Sequence, residues 1–216
     1  SLTMYKDLSK AHIRTESDFK TEYAKSVKNP DLFWDDKANR INWYGKWSKT
    51  SNVDYKKAQI KWFEGGKLNV SYNCLDRHVE NGDGEQCALI WEGNNPEEDK
   101  KYTYSKLLDE VSVFANTLKK LNIKKGDRVC IYMQMIPELT IAMLACARIG
   151  AIHSIVFGAF SPESLSDRIN DSSCKLLITQ DTGVRGTKMD IPMKSNADKA
   201  LDSCSTIEHV IVVKRT

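Results

Sequence analysis

From Cys87 onward, short runs rich in valine, isoleucine and tyrosine alternate with segments whose apolar residues recur at helical spacing. That alternation restricts what the chain can fold into more than any single motif does. Cys87–Trp91, Arg128–Met133, Ile152–Val156, Lys175–Thr179 and His209–Val213 read as strands. Thr103 caps a helix with Leu107, Leu108, Val111, Phe114, Ala115, Leu118 and Leu121 along one stripe. Pro137 opens a helix that runs through Ile149 and stops at Gly150. Ser161-Pro162-Glu163 opens another, to about Asp171, and Pro192–Asp202 reads as a further one. The charged stretch Gly93–Lys101 reads as a loop and Lys125-Gly126-Asp127 as a turn. Strands alternating with amphipathic helices imply an α/β fold: a doubly wound, largely parallel sheet with flanking helices and right-handed crossovers.

The chain ahead of this pattern is of another kind. Up to about His78 it is irregular and helical in tendency, with aromatics at Tyr5, Phe19, Tyr23, Phe33, Trp34, Trp43, Tyr44, Trp47, Tyr55, Trp62 and Phe63. Thr15 or Ser17 caps a helix carrying Phe19, Tyr23 and Val27 on one face. Asn29-Pro30-Asp31 starts a second. The expected organisation is an aromatic-rich helical region, 1–80, packed on an α/β region, 81–216.

A hydrophobic content of 41% with 9% aromatics is that of a folded protein. The net charge of +3 is too small to argue for nucleic acid or a membrane surface as partner. No stretch is long enough to span a bilayer, and no signal peptide is visible. The six cysteines are widely spaced, with no C-x-x-C and no Cys/His cluster, so no metal site is expected. They read as buried free thiols in a reducing cytosol, which makes a cytoplasmic location the expectation.

No P-loop pattern, G-x-G-x-x-G or G-x-S-x-G occurs. His12, His78, His153 and His209 have no local acid or nucleophile partner, and His153, in an apolar strand, reads as a core histidine. No catalytic residue is expected. Ligands of doubly wound sheets gather at the carboxyl ends of strands, where Phe157–Ser161 and Gln180–Lys188 lie. In Asp181–Lys188, read DTGVRGTK, Gly183 and Gly186 permit close backbone approach while Arg185 and Lys188 offer anion-binding donors. That pattern fits a phosphate site and equally a solvated basic loop. Phe157 and Phe160 could stack a planar base with Gly158 admitting it, or could cover the sheet edge. Ser161, followed by Pro162 and Glu163, reads as a helix cap rather than a nucleophile.

Several stretches carry a resemblance. They are WFEGGKLNVSYNCLDRH at Trp62–His78, ALIWEG at Ala88–Gly93, Tyr102-Thr103-Tyr104, and KKGDRVCIYMQMIPELTIAMLACARIGAIHSIVFGAFSPESLSDRIND at Lys124–Asp171. Arg185–Lys188 and Val210–Thr216 complete the set. Together, from Tyr5 to Thr216, the chain resembles the acetyl-CoA synthetase branch of the acyl-adenylate-forming superfamily. Propionyl-CoA synthetase is a near relative.

The resemblance implies a partial adenylate-forming domain from a two-step ligase that uses acetate, ATP, CoA and Mg²⁺. Acetate and ATP give acetyl-adenylate and pyrophosphate; CoA thiolate then displaces AMP. It places Arg185 and Lys188, with Gly186 and Thr187 between them, in the segment that contacts the nucleotide phosphates of CoA. It places Phe157 and Gly158 in the loop against the CoA adenine end. Ala159 and Thr187 depart from the family, which commonly has glycine at both places. The resemblance further implies that the phosphate loop, acetate pocket, ATP-holding residues and catalytic lysine follow beyond Thr216. The expectation is an N-terminal portion, inactive alone, that supplies scaffold and part of the CoA site. The alternatives are a propionyl-CoA synthetase and a short CoA- or nucleotide-binding module without catalysis. Asp76, Arg77 and His78 are expected to make ion pairs and hydrogen bonds that seat the N-terminal helices on the sheet.

Overall fold

A computed structural model describes residues 9 and 11–215; Tyr5 and Thr216, where the resemblance begins and ends, lie outside the described residues. The chain divides into two compact units between Leu68 and Asn69.

The first unit opens with helix α1 (Glu16–Lys28). A capping box starts it: Thr15 Oγ1 accepts the Asp18 N–H at 3.1 Å, and the Asp18 carboxylate accepts the Thr15 N–H at 3.0 Å. Helix α2 (Pro30–Ala38) begins with Asn29 Oδ1 accepting the Leu32 N–H at 3.2 Å. Strands β1 (Lys49–Asp54) and β2 (Gln59–Glu64) then form an antiparallel hairpin where the sequence suggested irregular, helical chain. β1 is polar but for Val53, β2 alternates only Ile60 and Trp62 with polar residues before Phe63 breaks the period, and no residue of either strand is buried. The rings of Trp43, Trp47 and Phe63 meet at centroid separations of 4.7–5.4 Å. Gly66 sits against them: a Cβ there would lie 2.6 Å from Trp43 Cζ3, so only glycine fits. Trp47 Nε1 donates to Asp35 Oδ1 at 2.7 Å, and Thr50 Oγ1 donates to the same oxygen at 3.0 Å.

The second unit begins with a helical segment that widens to π-helical turns at Tyr72–Asp76 and Val79–Asp83. A hairpin of β3 (Cys87–Trp91) and β4 (Lys100–Thr103) and the long helix α3 (Tyr104–Lys120) follow. The sheet strands are β5 (Arg128–Met133), β6 (Ile152–Phe157), β7 (Leu176–Gln180) and β10 (His209–Val213). Helices α4 (Pro137–Ile149), α5 (Pro162–Ser172) and α6 (Met193–Leu201) connect them, with a small hairpin of β8 (Gly183–Arg185) and β9 (Lys188–Ile191) between β7 and α6.

The four sheet strands are parallel in the order β10-β7-β5-β6. From β5 the chain crosses to β6 on one side, then returns to β7 on the other, so the sheet is doubly wound with its switch point between β5 and β7. One core joins Leu107, Val111 and Leu118 of α3 and Ala142 and Ala145 of α4 to Ile131 and Ile178. The other joins Leu165 and Ile169 of α5 and Met193 and Ala197 of α6 to Cys130, Tyr132 and Leu177. β5 therefore buries both faces, which is why its sequence reads as an unbroken apolar run.

Other sequence expectations also need correction, the burial of Cys74 and Cys87 among them. The loop drawn over Gly93–Lys101 ends in strand β4, whose one inward side chain, Tyr102, is too short a pattern to read. The loop Gln180–Lys188 carries strand β8 and the start of β9. His153 is half-buried rather than in the core, because β6 is an edge strand. Of the cysteines, Cys130, Cys146 and Cys174 are buried, Cys204 is intermediate, and Cys74 and Cys87 are exposed; all are free. Burial pushes the Cys146 thiol up to about 12.

The run Trp62–His78 straddles the division between units. Asp76 accepts two bonds from the Arg148 guanidinium, at 2.8 and 2.9 Å, and His78 stacks on Tyr104 at 4.6 Å. These contacts join the π-helical segment to α4 and α3 of its own unit.

Candidate functional site

Segments that end or follow the four parallel strands line one cleft of about 360 Å³. Gln134–Ile136 follow β5, Phe157–Ala159 end and follow β6, Val184 and Arg185 come from the hairpin after β7, and Arg215 follows β10. Trp91–Asn94, leaving β3, and Ile191 complete the lining. The crevice at a topological switch point is where an open α/β sheet holds its ligands.

Of the sequence-based candidates, Phe157, Gly158 and Arg185 line this cleft. Gly186, Thr187 and Lys188 do not line it; they form the exposed tip of the adjoining hairpin, with Lys188 paired in register with Arg185. Gly186 adopts φ +58°, the left-handed conformation suited to glycine at the first position of a two-residue turn. Thr187 is not among the positive-φ residues, so a β-branched residue in place of glycine introduces no backbone strain there.

The loop after β6 is held from beneath. The buried Tyr132 hydroxyl donates to the Phe160 carbonyl at 2.9 Å, and burial raises its phenol above the usual range, keeping it a neutral donor. Phe160 meets Phe157 edge-on at 6.0 Å and carries the Arg168 guanidinium 4.6 Å above its ring. Gly158 has Met133 O and Met193 Cε 3.1 Å from where a Cβ would sit, so its backbone lies tight on the sheet. Phe157 itself is 61% exposed, leaving a ring face open for stacking. Ser161 caps α5, accepting the Ser164 N–H at 3.3 Å.

Opposite that loop, Trp91 Nε1 donates to the Met135 carbonyl at 2.7 Å. The Arg215 guanidinium lies 5.3 Å over the Trp91 ring and pairs with Glu98 at 3.0 Å. Arg185 thus differs from Arg215: its side chain is exposed beside the cleft, while that of Arg215 is engaged by a carboxylate and a ring. An open aromatic face, tight glycine backbone and an exposed guanidinium with a lysine beside it suit a planar base carrying phosphates.

Sequence reasoning found two of the four strand ends. The third and fourth, after β5 and β10, follow from the same rule applied to every parallel strand. Trp91 and Asn94 gave no such signal, because β3 belongs to a separate hairpin. A second hollow of about 360 Å³ lies on the sheet face between α3 and α4. Its floor is Val113, Phe114, Ile141, Ala142, Ile178 and Val213, with Asp109, Glu110 and Glu138 around it. Its polar side chains are all carboxylates, so it offers no donors to an anion.

The AMP-binding enzyme family profile matches residues 75–216, and the profile for the acetyl-coenzyme A synthetase N-terminus matches residues 19–74. Among relatives, the chain is 52% identical to an acetyl-coenzyme A synthetase of Alkalilimnicola ehrlichii, over 96% of this chain and 32% of that protein. It is 54% identical to that of Saccharophagus degradans, over 95% and 32%, and 54% identical to that of Leptospira biflexa, over 92% and 30%. The chain spans about a third of the length of the curated relatives it matches.

Proposed function

Because the chain belongs to the AMP-binding enzyme family, we propose that it is the N-terminal portion of an ATP-dependent, AMP-forming acetate–CoA ligase. The observation that carries this reading is identity above 50% over nearly the whole chain to proteins named acetyl-coenzyme A synthetase.

In the proposed reaction the acetate carboxylate attacks the α-phosphorus of ATP, and pyrophosphate leaves. The mixed anhydride then presents an acyl carbon with AMP as leaving group. CoA thiolate attacks it, giving acetyl-CoA. In this scheme the cleft at the strand ends takes the nucleotide end of CoA. Arg185 forks a phosphate, Lys188 adds a point charge beside it, and Phe157 with Gly158 accommodates the adenine. Contacts so far from the thiol act by holding CoA, in the ground state and the transition state alike. Among the described residues no group of three or more His, Cys, Asp or Glu side chains could hold a metal ion. No described helix is long and apolar enough to cross a membrane, and a cytoplasmic location is part of the proposal.

The test is acetyl-CoA formation by the full-length protein from acetate, ATP and CoA, with AMP and pyrophosphate released in step. Acetate that fails to support AMP release, or propionate that is strongly preferred, refutes the assignment. Residues 1–216 alone are expected to catalyse no acetate-dependent ATP–pyrophosphate exchange.

A further inference from the structure

Arg185 stands between two amide clamps. On one side, Gln134 Oε1 accepts the Val184 N–H at 2.9 Å and Gln134 Nε2 donates to the Val184 carbonyl at 3.3 Å. On the other, Asn94 Oδ1 accepts the Gly186 N–H at 2.7 Å and Asn94 Nδ2 donates to the Gly186 carbonyl at 2.8 Å. Each side chain engages both backbone polar groups of one residue, as a neighbouring strand would.

The hairpin has little else to fix its tip. Its strands are three and four residues long, and Arg185, Gly186, Thr187 and Lys188 are all exposed. The Gln134 clamp is rooted in the core. The fully buried Gln180 accepts the Gln134 N–H on Oε1 at 2.7 Å and donates through Nε2 to the Thr182 carbonyl at 2.7 Å. Gly183 leaves the room it needs, since a Cβ there would lie 3.0–3.1 Å from the Gln134 amide. The Asn94 clamp comes instead from the surface loop after β3, 92 residues back along the chain.

We propose that Asn94 and Gln134 are positioning residues that preset Arg185 for a phosphate of the CoA nucleotide; this rests on the reading of the cleft given above. An arginine on a loosely held turn must have its backbone ordered when the anion binds, and that ordering subtracts from affinity. With Val184 and Gly186 both held, the backbone on either side of Arg185 is set before the ligand arrives. The clamps act through Arg185 and need not touch the ligand.

The experiment uses the full-length protein with Asn94→Ala, Arg185→Ala and both together, measuring KM and kcat for CoA. Asn94→Ala removes two backbone hydrogen bonds and is expected to raise KM for CoA about tenfold, with the effect falling on KM rather than kcat. The double variant is expected to be no worse than Arg185→Ala, because one residue works through the other. With pantetheine, which lacks the nucleotide phosphates, Asn94→Ala and wild type are expected to share one kcat/KM. Multiplying losses in the double variant, or an equal loss with pantetheine, overturn the positioning role. So does an unchanged KM in Asn94→Ala when Arg185→Ala raises it. Unchanged KM in Arg185→Ala refutes the cleft reading itself, which is a separate result.

Discussion

Among the described residues of the first unit only Ala38 and Trp47 are buried, whereas five consecutive residues of β5 in the second, Val129–Met133, are at most 2% exposed. The first unit is ordered by ring contacts, caps and polar ties over a shallow interior. The second is ordered by apolar burial on two faces of a sheet. A two-sided core leaves a readable imprint on sequence, and the shallow interior leaves almost none. The sharpest way to break this contrast is Ile131→Ala. Ile131 is fully buried at the centre of the sheet, and a cavity there should cost about 3 kcal/mol. Trp34, Trp43, Trp47 and Trp62 lie in the first unit and Trp91 in the second, so tryptophan fluorescence reports mainly the first. Urea unfolding should move to lower denaturant by circular dichroism while the fluorescence midpoint holds. If both midpoints move together, the first unit depends on the second for its order, and the contrast fails.

The next effect concerns the signature run. Asp76 and Arg148 have side chains 16% and 31% exposed and share a two-point ion pair. Asp76→Ala removes two charge-assisted hydrogen bonds from a partly dehydrated arginine and should cost about 2 kcal/mol. Arg148→Ala in the same background should add little if the pair acts as a unit. Additive losses would mean that the two groups are stabilised by other neighbours. For the first unit the matching test is Gly66→Ala. The new methyl would meet the Trp43 ring and the Phe63 carbonyl, at 2.6 and 3.0 Å, and should cost about 1 kcal/mol. Its signature is a changed near-ultraviolet tryptophan spectrum without a change in the second unit's unfolding. An unchanged spectrum would show that the ring cluster is loosely packed.

The same contrast explains what was legible in the sequence. Helices α3 to α6 and strands β5, β6, β7 and β10 show in the sequence close to their observed ends, because buried stripes and unbroken apolar runs are local patterns. The caps at Asn29, Thr103 and Ser161 were equally local: each bonds an N–H three residues on. The hairpin β1–β2 and the strands β4, β8 and β9 escaped, since strands this short and this little buried show too few apolar residues in alternation to read. At the cleft, Phe157, Gly158 and Arg185 were legible from their place after parallel strands. Asn94 and Gln134 were not. Their bonds span 92 and 50 residues, and no window along the chain contains both ends.

The smallest expected effect tests the polar side of the comparison. Glu22 accepts Lys25 Nζ on one oxygen at 2.8 Å and Lys37 Nζ on the other at 2.9 Å, and so ties α1 to α2. These hydrogen bonds, with Lys25 the larger cause, lower its carboxyl from 4.5 to about 2. A folded-state value below the unfolded one means that the tie contributes fully above 4.5 and is lost as pH falls through about 2. The side-chain carboxyl resonance of Glu22 should therefore titrate with a midpoint near 2, well below an ordinary glutamate. Lys37→Ala should raise that midpoint, and Lys25→Ala should raise it more. The overall melting temperature should change little with Lys25→Ala, because that lysine side chain is 62% exposed and its pair is screened by solvent. A wild-type midpoint near 4.5 would mean that the tie does not form in solution, and the order of the first unit would then rest on its aromatic rings and helix caps.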